Sequence, residues 1–117
     1  MERPKDVNAM RRRHAQLTAK LARTGLVVQG TITERTIERP DPENPGKSKT
    51  LGPYYQWTFK EKGKTVTVNL SKAQVRPYQK AIDNHRRMEK LLDEMRDLSL
   101  RILENTTQGV TKRKPRN

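Results

Sequence analysis

Two adjacent runs of alternating side chains decide the fold: Tyr54-Tyr55-Gln56-Trp57-Thr58-Phe59-Lys60 and Thr65-Val66-Thr67-Val68-Asn69-Leu70. A period of two residues is typical of strands with one buried face. Between the runs, Glu61-Lys62-Gly63-Lys64 has the length of a hairpin turn and includes a glycine that can adopt a positive φ. We therefore predict a β-hairpin. Its inward face carries the apolar side chains of both runs: Tyr55, Trp57, Phe59, Val66, Val68 and Leu70.

The segment ahead of the hairpin predicts one more strand and a loop. Residues 26–37 are rich in β-branched side chains, with Val28, Gly30 and Ile32 on one face, which is typical of a half-buried strand. Residues 38–53 are polar and interrupted by proline and glycine, which disfavour both helix and ladder. We expect this second segment to form an exposed, flexible loop.

A helix with one apolar stripe is predicted near the N-terminus. Asp6 is a suitable N-cap, and Gly25 follows the stripe as a C-terminal stop does. The stripe repeats at spacings of 3, 4, 3 and 4: Val7, Met10, His14, Leu17 and Leu21. The opposite face carries a basic set: Arg11, Arg12, Arg13, Lys20 and Arg23.

A longer amphipathic helix is predicted after the hairpin. Ser71 and Gln74 form a capping box at its start, and it should fray near residues 105–107. Pro77 is tolerated in a first turn but not inside a helix. Either a short turn over residues 71–76 precedes a helix that starts at Pro77, or one helix is kinked there. The apolar stripe then repeats at spacings of 3, 4, 3 and 4: Met88, Leu91, Met95, Leu98 and Ile102.

The order of these elements predicts the architecture. A helix, three strands and a long helix indicate an α+β fold with a three-stranded antiparallel sheet. We expect a single domain over residues 1–109 and a disordered basic tail over residues 110–117.

Composition excludes several classes of protein. The chain has no cysteine, which excludes disulfides and thiolate metal sites and suits a reducing compartment, so we expect a cytoplasmic location. No apolar run approaches ~18 residues and the first ten residues lack an apolar core, which predicts neither membrane insertion nor secretion. By contrast, 26 basic residues against 13 acidic ones give a net charge of +13. This excess favours a polyanionic partner, because binding releases counterions from a phosphate backbone.

Three motifs that suggest chemistry have simpler interpretations. Gly63-Lys64-Thr65 lacks the glycine that a phosphate-binding loop needs five positions earlier, where Thr58 stands, so a hairpin turn is favoured. Asp93, Glu94 and Asp97 interleave with basic residues and predict a solvated ion-pair face (the basic members are Lys90, Arg96 and Arg101). His14 and His85 have no second ligand at metal-binding spacing. We predict no enzymatic activity, no metal and no cofactor.

The basic segments point to nucleic acid, DNA or RNA. Residues 1–25 hold seven basic and two acidic residues, residues 72–90 hold six and two, and residues 106–117 hold four and none. On a continuous helix, residues 72, 76, 80 and 87 share a face. The predicted phosphate contacts are Arg11, Arg12, Arg13, Lys72, Arg76, Lys80, Arg86, Arg87, Lys112, Arg113 and Lys114. His85, which precedes Arg86, is a further candidate for phosphate contact.

Few side chains are suited to reading bases. Tyr54 is predicted on the face of its strand opposite Trp57, where it can stack on a base, whereas Trp57 is expected in the core. Gln79 and Asn84 are the candidates for hydrogen bonds to base edges. We therefore expect weak sequence preference.

Three segments carry a resemblance to a known family: Gly52-Pro53-Tyr54-Tyr55-Gln56-Trp57-Thr58, Gly63-Lys64-Thr65-Val66-Thr67 and Ile82-Asp83-Asn84-His85-Arg86-Arg87-Met88-Glu89. They are similar to those of short, uncharacterised prokaryotic proteins often encoded near transposases, with a Gly-Pro-Tyr-Tyr hairpin followed by a capped helix. The resemblance covers about residues 7–105. Many members carry a short Cys-rich segment, which looks metal-binding, just before the Gly-Pro-Tyr-Tyr element. Here residues 37–51 take its place without Cys or His, so the resemblance implies no metal site.

Two functional hypotheses follow. The first is a basic nucleic-acid-binding accessory protein, associated with mobile elements, that binds mainly through phosphate contacts. The alternative is a helical module for protein interaction or oligomerisation, in which the helices pair with a partner protein or with a second copy and the charge serves solubility.

Overall fold

A helix, three strands and a second helix follow one another in the computed structural model, which describes residues 6–109. The elements are α1 (Val7–Ala22), β1 (Thr31–Pro40), β2 (Ser48–Glu61), β3 (Lys64–Leu70) and α2 (Lys72–Thr106). The strands form one antiparallel sheet in the order β1-β2-β3. The predicted α+β fold is confirmed, with its N-terminal helix, three-stranded antiparallel sheet and long C-terminal helix.

The predicted hairpin is formed by β2 and β3. Trp57 pairs with Val68 and Phe59 pairs with Val66, so the apolar faces of the two strands coincide. At the turn, Lys62 has φ of 50° and Gly63 has φ of 79°. Positive φ at both central residues matches the right-handed twist of the flanking strands.

The first strand lies later in the sequence than predicted. It begins at Thr31 rather than near Leu26, and it continues to Pro40. The residues before it run alongside α2 instead, where the backbone N–H of Val28 donates to the carbonyl of Ala81 at 3.2 Å. Gly30 ends this segment in close contact with β2. A Cβ there would lie 2.4 Å from the Thr58 carbonyl oxygen.

The predicted loop over residues 38–53 is wrong at both ends. Cross-strand pairing continues from Glu38 opposite Thr50 to Pro40 opposite Ser48, so residues 41–47 alone connect β1 and β2. Proline is tolerated at the end of an edge strand, since no ladder hydrogen bond is lost there. The connection is ordered by Asp41, whose carboxylate accepts from the backbone N–H of Glu43 and the side chain of Asn44. These hydrogen bonds lower the pKa of Asp41.

The second helix is continuous. It runs from Lys72 to Thr106 with Pro77 inside it, so a short separate turn before Pro77 is excluded. One half of the predicted capping box is formed: the side chain of Gln74 accepts from the Ser71 backbone N–H at 2.9 Å. The backbone N–H of Gln74 donates to the backbone carbonyl of Ser71 at 3.0 Å. The helix ends where fraying was predicted. There, the side chains of Asn105 and Thr106 donate back to the carbonyls of the preceding turn.

Backbone contacts divide the chain into two compact units. The helical unit comprises residues 6–24 with 87–109, and the sheet unit comprises Gly25–Arg86. Leu17 and Ile102 are the buried apolar residues of the first unit. The second unit buries Leu70, Ala81 and Ile82. The helix α2 contributes residues to both units. The single domain expected over residues 1–109 stays a prediction.

Two further expectations concern the membrane and the tail. Across residues 6–109, the structure contains no helix of the length and apolarity required to cross a membrane. The predicted tail over residues 110–117 lies outside the described residues.

Candidate nucleic-acid interface

Three acidic residues of α2 in the helical unit, Asp93, Glu94 and Asp97, form ion pairs with arginines. Asp93 pairs with Arg96 at 2.8 Å and Asp97 pairs with Arg101 at 3.1 Å, one turn along α2 in each case. The predicted ion-pair face is confirmed for these residues. Each of these two carboxylates lies beside an arginine, which offsets part of the repulsion that it would exert on a polyanion.

Glu94 instead joins the two helices. The guanidinium of Arg13 donates to both of its carboxylate oxygens, at 2.7 and 3.1 Å, although both side chains are 42% exposed. This forked hydrogen bond lowers the pKa of Glu94 and raises the pKa of Arg13, and the nearby Lys20 lowers the pKa of Glu94 further. Arg13 was predicted to contact phosphate. Its guanidinium is occupied within the chain, whereas Arg11 and Arg12 beside it are exposed.

A basic notch lies where the end of α1 meets the middle of α2 in the helical unit. It is a depression of about 400 Å³, and its cations are Lys20, Arg23, Arg87 and Lys90. Thr24 and Leu91 complete the lining. Arg87 was among the predicted contacts, but Lys90 had been assigned to the ion-pair face. The notch has no signature in local spacing, because its two halves come from distant parts of the sequence.

The first half of α2 presents a basic face on the sheet unit. Lys72, Arg76 and Lys80 are exposed at spacings of four residues, and the continuity of α2 through Pro77 places them on one side of it. Among residues 6–109 none of the three forms an ion pair. Arg86 is also exposed, 4.0 Å from the carboxylate of Asp83.

The two candidate base readers on α2 both form hydrogen bonds within the chain. Asn84 is 5% exposed, and its side-chain amide donates to the carbonyl of Leu26 at 2.9 Å. Its assignment as a base reader is therefore wrong, because a buried amide that anchors the chain after α1 cannot reach a base. Gln79 is half-buried and donates to Asp83 at 3.0 Å.

The aromatic residues of β2 are divided between the two faces of the sheet. Trp57 stacks on Phe59 with ring centroids 4.1 Å apart and meets the edge of Tyr78 on α2 at 5.3 Å. Its indole N–H donates to the carbonyl of Gln29 at 2.7 Å. The predicted inward orientation of Trp57 is confirmed, although its side chain is half-buried rather than fully enclosed.

Tyr54 lies on the opposite face and is 45% exposed. It borders a shallow depression of about 350 Å³ on the sheet unit. The polar side chains that surround it there are Arg35, Arg39, Gln56 and Asn69. The arginines and amides of this depression were absent from the predicted contacts, because cross-strand register brings them together.

The histidines and the tail complete the predicted set. His14 is half-buried on the apolar stripe of α1, and His85 is half-buried on α2. Within residues 6–109, no group of three or more potential ligands lies close enough to hold a metal ion. Lys112, Arg113 and Lys114 lie outside the described residues.

Comparison with known proteins identifies no relative: no family model matches the chain, and no curated protein or solved structure is significantly similar to it. The resemblance to the transposase-associated family stays a prediction.

Proposed function

We propose that this chain is a nucleic-acid-binding accessory protein, rather than an enzyme, and that it binds mainly through phosphate contacts. The observation that carries the proposal is the unpaired basic face of α2. Lys72, Arg76 and Lys80 line one side of a helix, exposed and without acidic partners among the described residues. A cation without an acidic partner can pair with a phosphate and release its counterion, and no internal ion pair has to be broken first.

The helical unit adds a second basic surface to the proposal. Arg11 and Arg12 are exposed on α1, and the basic notch gathers four cations around one depression. Lysine and arginine in such a cluster can hold a phosphate from more than one side. Association with mobile elements is proposed on the sequence resemblance alone.

A salt titration tests the proposal. Labelled duplex DNA is titrated with the full chain at increasing salt, and fluorescence anisotropy gives the affinity. With about 4–6 phosphates neutralised, log K should fall against log salt with a slope of about −4 to −5. Affinity that is absent at low salt, or that does not change with salt, contradicts the proposal.

Two variants of equal charge locate the contacts. The first, Lys72→Gln, Arg76→Gln and Lys80→Gln, removes the basic face. Its matched control, Lys60→Gln, Lys62→Gln and Lys64→Gln, removes three exposed cations around the hairpin turn. Loss of three phosphate contacts should make the slope shallower by about 2 to 3 in the first variant and leave the control near wild type. Equal losses in both would mean that net charge, not the basic face, drives binding.

Sequence preference should be weak. Asn84 is buried, and phosphate contacts position a protein without specifying a sequence. Unlabelled duplexes of unrelated sequence should compete within roughly tenfold of one another, since each specific base contact typically adds about 1–3 kcal/mol. A preference of about a thousandfold would reveal a reading element elsewhere.

A second candidate, helical self-association, is favoured by two exposed leucines. Leu100 and Leu103 are 58% and 55% exposed, and they lie three residues apart on one side of α2. Such a pair is suited to a hydrophobic contact between helices. Light scattering at high salt tests this function: a dimer that dissociates in Leu100→Gln with Leu103→Gln supports it, and a wild-type monomer excludes it.

A further inference from the structure

We propose that the outer face of the sheet at Tyr54 binds an unpaired base of a single-stranded nucleic acid, with Arg35 and Arg39 contacting the adjoining phosphates. This inference rests on the proposed function and narrows it to a substrate class. It adds a third surface to the two basic surfaces described above.

The register of the sheet produces the site. Arg35 on β1 lies opposite Tyr54 on β2, and Gln56 pairs with Asn69 on β3. Because β3 ends at Leu70, opposite Tyr55, Tyr54 has no strand partner on the β3 side among the described residues. The resulting depression, about 350 Å³, lies at the small end of the range for ligand sites.

The Tyr54 ring lies close to the backbone of Gly52. A Cβ at Gly52 would lie 3.2 Å from Cδ2 of Tyr54, so the ring packs closely against this glycine. Gly52 also has φ of 111°, which L side chains rarely adopt. The backbone at Gly52 therefore limits the space available to the ring on that side, and a ring with fewer accessible positions loses less entropy on stacking.

The charges around the ring favour a nucleic acid over an uncharged ligand. The depression is lined by Arg35 and Arg39 and by no acidic residue. Among the described residues, neither arginine forms an ion pair. A guanidinium presents a fork of donors that matches the geometry of a phosphate. Phosphates on either side of a stacked base complement this pair of cations.

The amides beside the ring can contact the edge of the base. Gln56 donates from Nε2 to Oδ1 of Asn69 at 3.3 Å, which leaves Oε1 of the first and Nδ2 of the second for a ligand. One acceptor and one donor next to an aromatic ring suit the hydrogen-bonding edges of unpaired bases. Base pairing hides these edges in a duplex, and base stacking hides the faces. The site therefore discriminates in favour of single strands.

The test compares strands with duplexes in one set of variants. Wild-type protein and Tyr54→Leu are titrated into single-stranded DNA, single-stranded RNA and duplex DNA of about 12 nucleotides or base pairs, a length within typical single-strand site sizes. Loss of the stack should weaken single-strand binding about 10- to 100-fold and leave duplex binding within about twofold. Comparison of the DNA and RNA strands shows which of them the site prefers.

Two more variants separate stacking from folding. Tyr54→Phe keeps the ring, so it should bind single strands within about threefold of wild type. Arg39→Gln does not alter the ring. It should weaken single-strand binding and make the salt slope shallower by about 0.7 for one lost phosphate contact. Circular dichroism of each variant checks that the fold is retained.

The outcomes show whether the single-strand site, the proposed function or both fail. Equal loss of strand and duplex binding in Tyr54→Leu, failure of Tyr54→Phe to bind, or no effect of either Tyr54→Leu or Arg39→Gln overturns the single-strand site. Duplex binding without single-strand binding by the wild type also overturns it but leaves the proposed function standing. If the wild type binds neither form at low salt, both fail.

Discussion

The helical unit and the sheet unit both have more basic than acidic residues, but they differ in which charged side chains form ion pairs. Residues 6–24 with 87–109 hold nine basic and six acidic residues, and residues 25–86 hold eleven and six. In the helical unit, Asp93, Glu94 and Asp97 each pair with an arginine within 3.1 Å. In the sheet unit, Lys72, Arg76 and Lys80 remain unpaired among the described residues. Net charge therefore does not reveal which cations are available to a partner.

The two units also bury different kinds of contact. The helical unit depends on stripes of apolar residues from two helices, of which Leu17 and Ile102 are the most enclosed. The sheet unit combines apolar burial at Ile82 with a buried polar anchor at Asn84. The Asn84 amide needs one particular acceptor, the carbonyl of Leu26. This hydrogen bond therefore restricts the path of the chain after α1 more than apolar packing does.

The largest expected effect tests whether the two units unfold together. Leu17 and Ile82 are 0% and 1% exposed, one in each unit, and replacing either with alanine should cost about 2–5 kcal/mol. We expect each variant to lower the stability of both units, because the helix α2 belongs to both.

Two probes follow that unfolding. Trp57 fluorescence reports on the sheet unit, and far-ultraviolet circular dichroism reports on the helices. Coincident denaturant transitions support a single cooperative domain. A variant that shifts one probe and leaves the other unchanged would contradict the single-domain prediction.

A smaller effect is expected at the aromatic residues of β2. Trp57→Ala removes two ring contacts and a hydrogen bond, and its half-buried side chain places the cost near the lower end of the usual range, about 3 kcal/mol. Tyr54→Ala should change stability by about 0.5 kcal/mol or less, because the ring is exposed. Denaturant melts measure both variants. A larger loss in Tyr54→Ala than in Trp57→Ala would mean that the assigned faces of β2 are reversed.

The smallest effect concerns the ion pair of the helical unit. Because Arg13 lowers the pKa of Glu94, this pair stabilises the fold fully above the ordinary glutamate pKa, about 4.3. The contribution is lost as pH falls below that value and through the lowered pKa of the folded state. Glu94→Gln should reduce Tm slightly near pH 7, and its Tm should fall less steeply than the wild-type Tm in acid.

A matched control is available on the same helix. Glu104 is exposed near the end of α2 and forms no ion pair among the described residues, so Glu104→Gln should follow the wild-type acid profile. If both variants gave the same profile, the Arg13 contact would have no measurable effect on stability in solution.

Local sequence patterns predicted which helices and strands form, whereas pairing between distant residues determines where the strands begin and end. Alternation placed Trp57 and Tyr54 on opposite faces, and helical spacing placed Leu17 and Ile102 inward. The predicted bounds of the 38–53 loop were wrong because its prolines were taken to end the strand. Pairing between β1 and β2 instead extends the two strands to Pro40 and Ser48. Cross-strand hydrogen bonds depend on residues on another strand, which a local window does not include.

The sequence by itself determined the α+β order, the hairpin, the two apolar stripes and the excess of positive charge. These features follow from side-chain identity and spacing within one or two turns of chain. Only the tertiary structure decided that Arg13 is paired while Arg11 is exposed, that Asn84 is buried, and that arginines and amides surround Tyr54. Those outcomes depend on atoms distant in sequence, since a charge or an amide is available only when no partner from elsewhere in the chain occupies it.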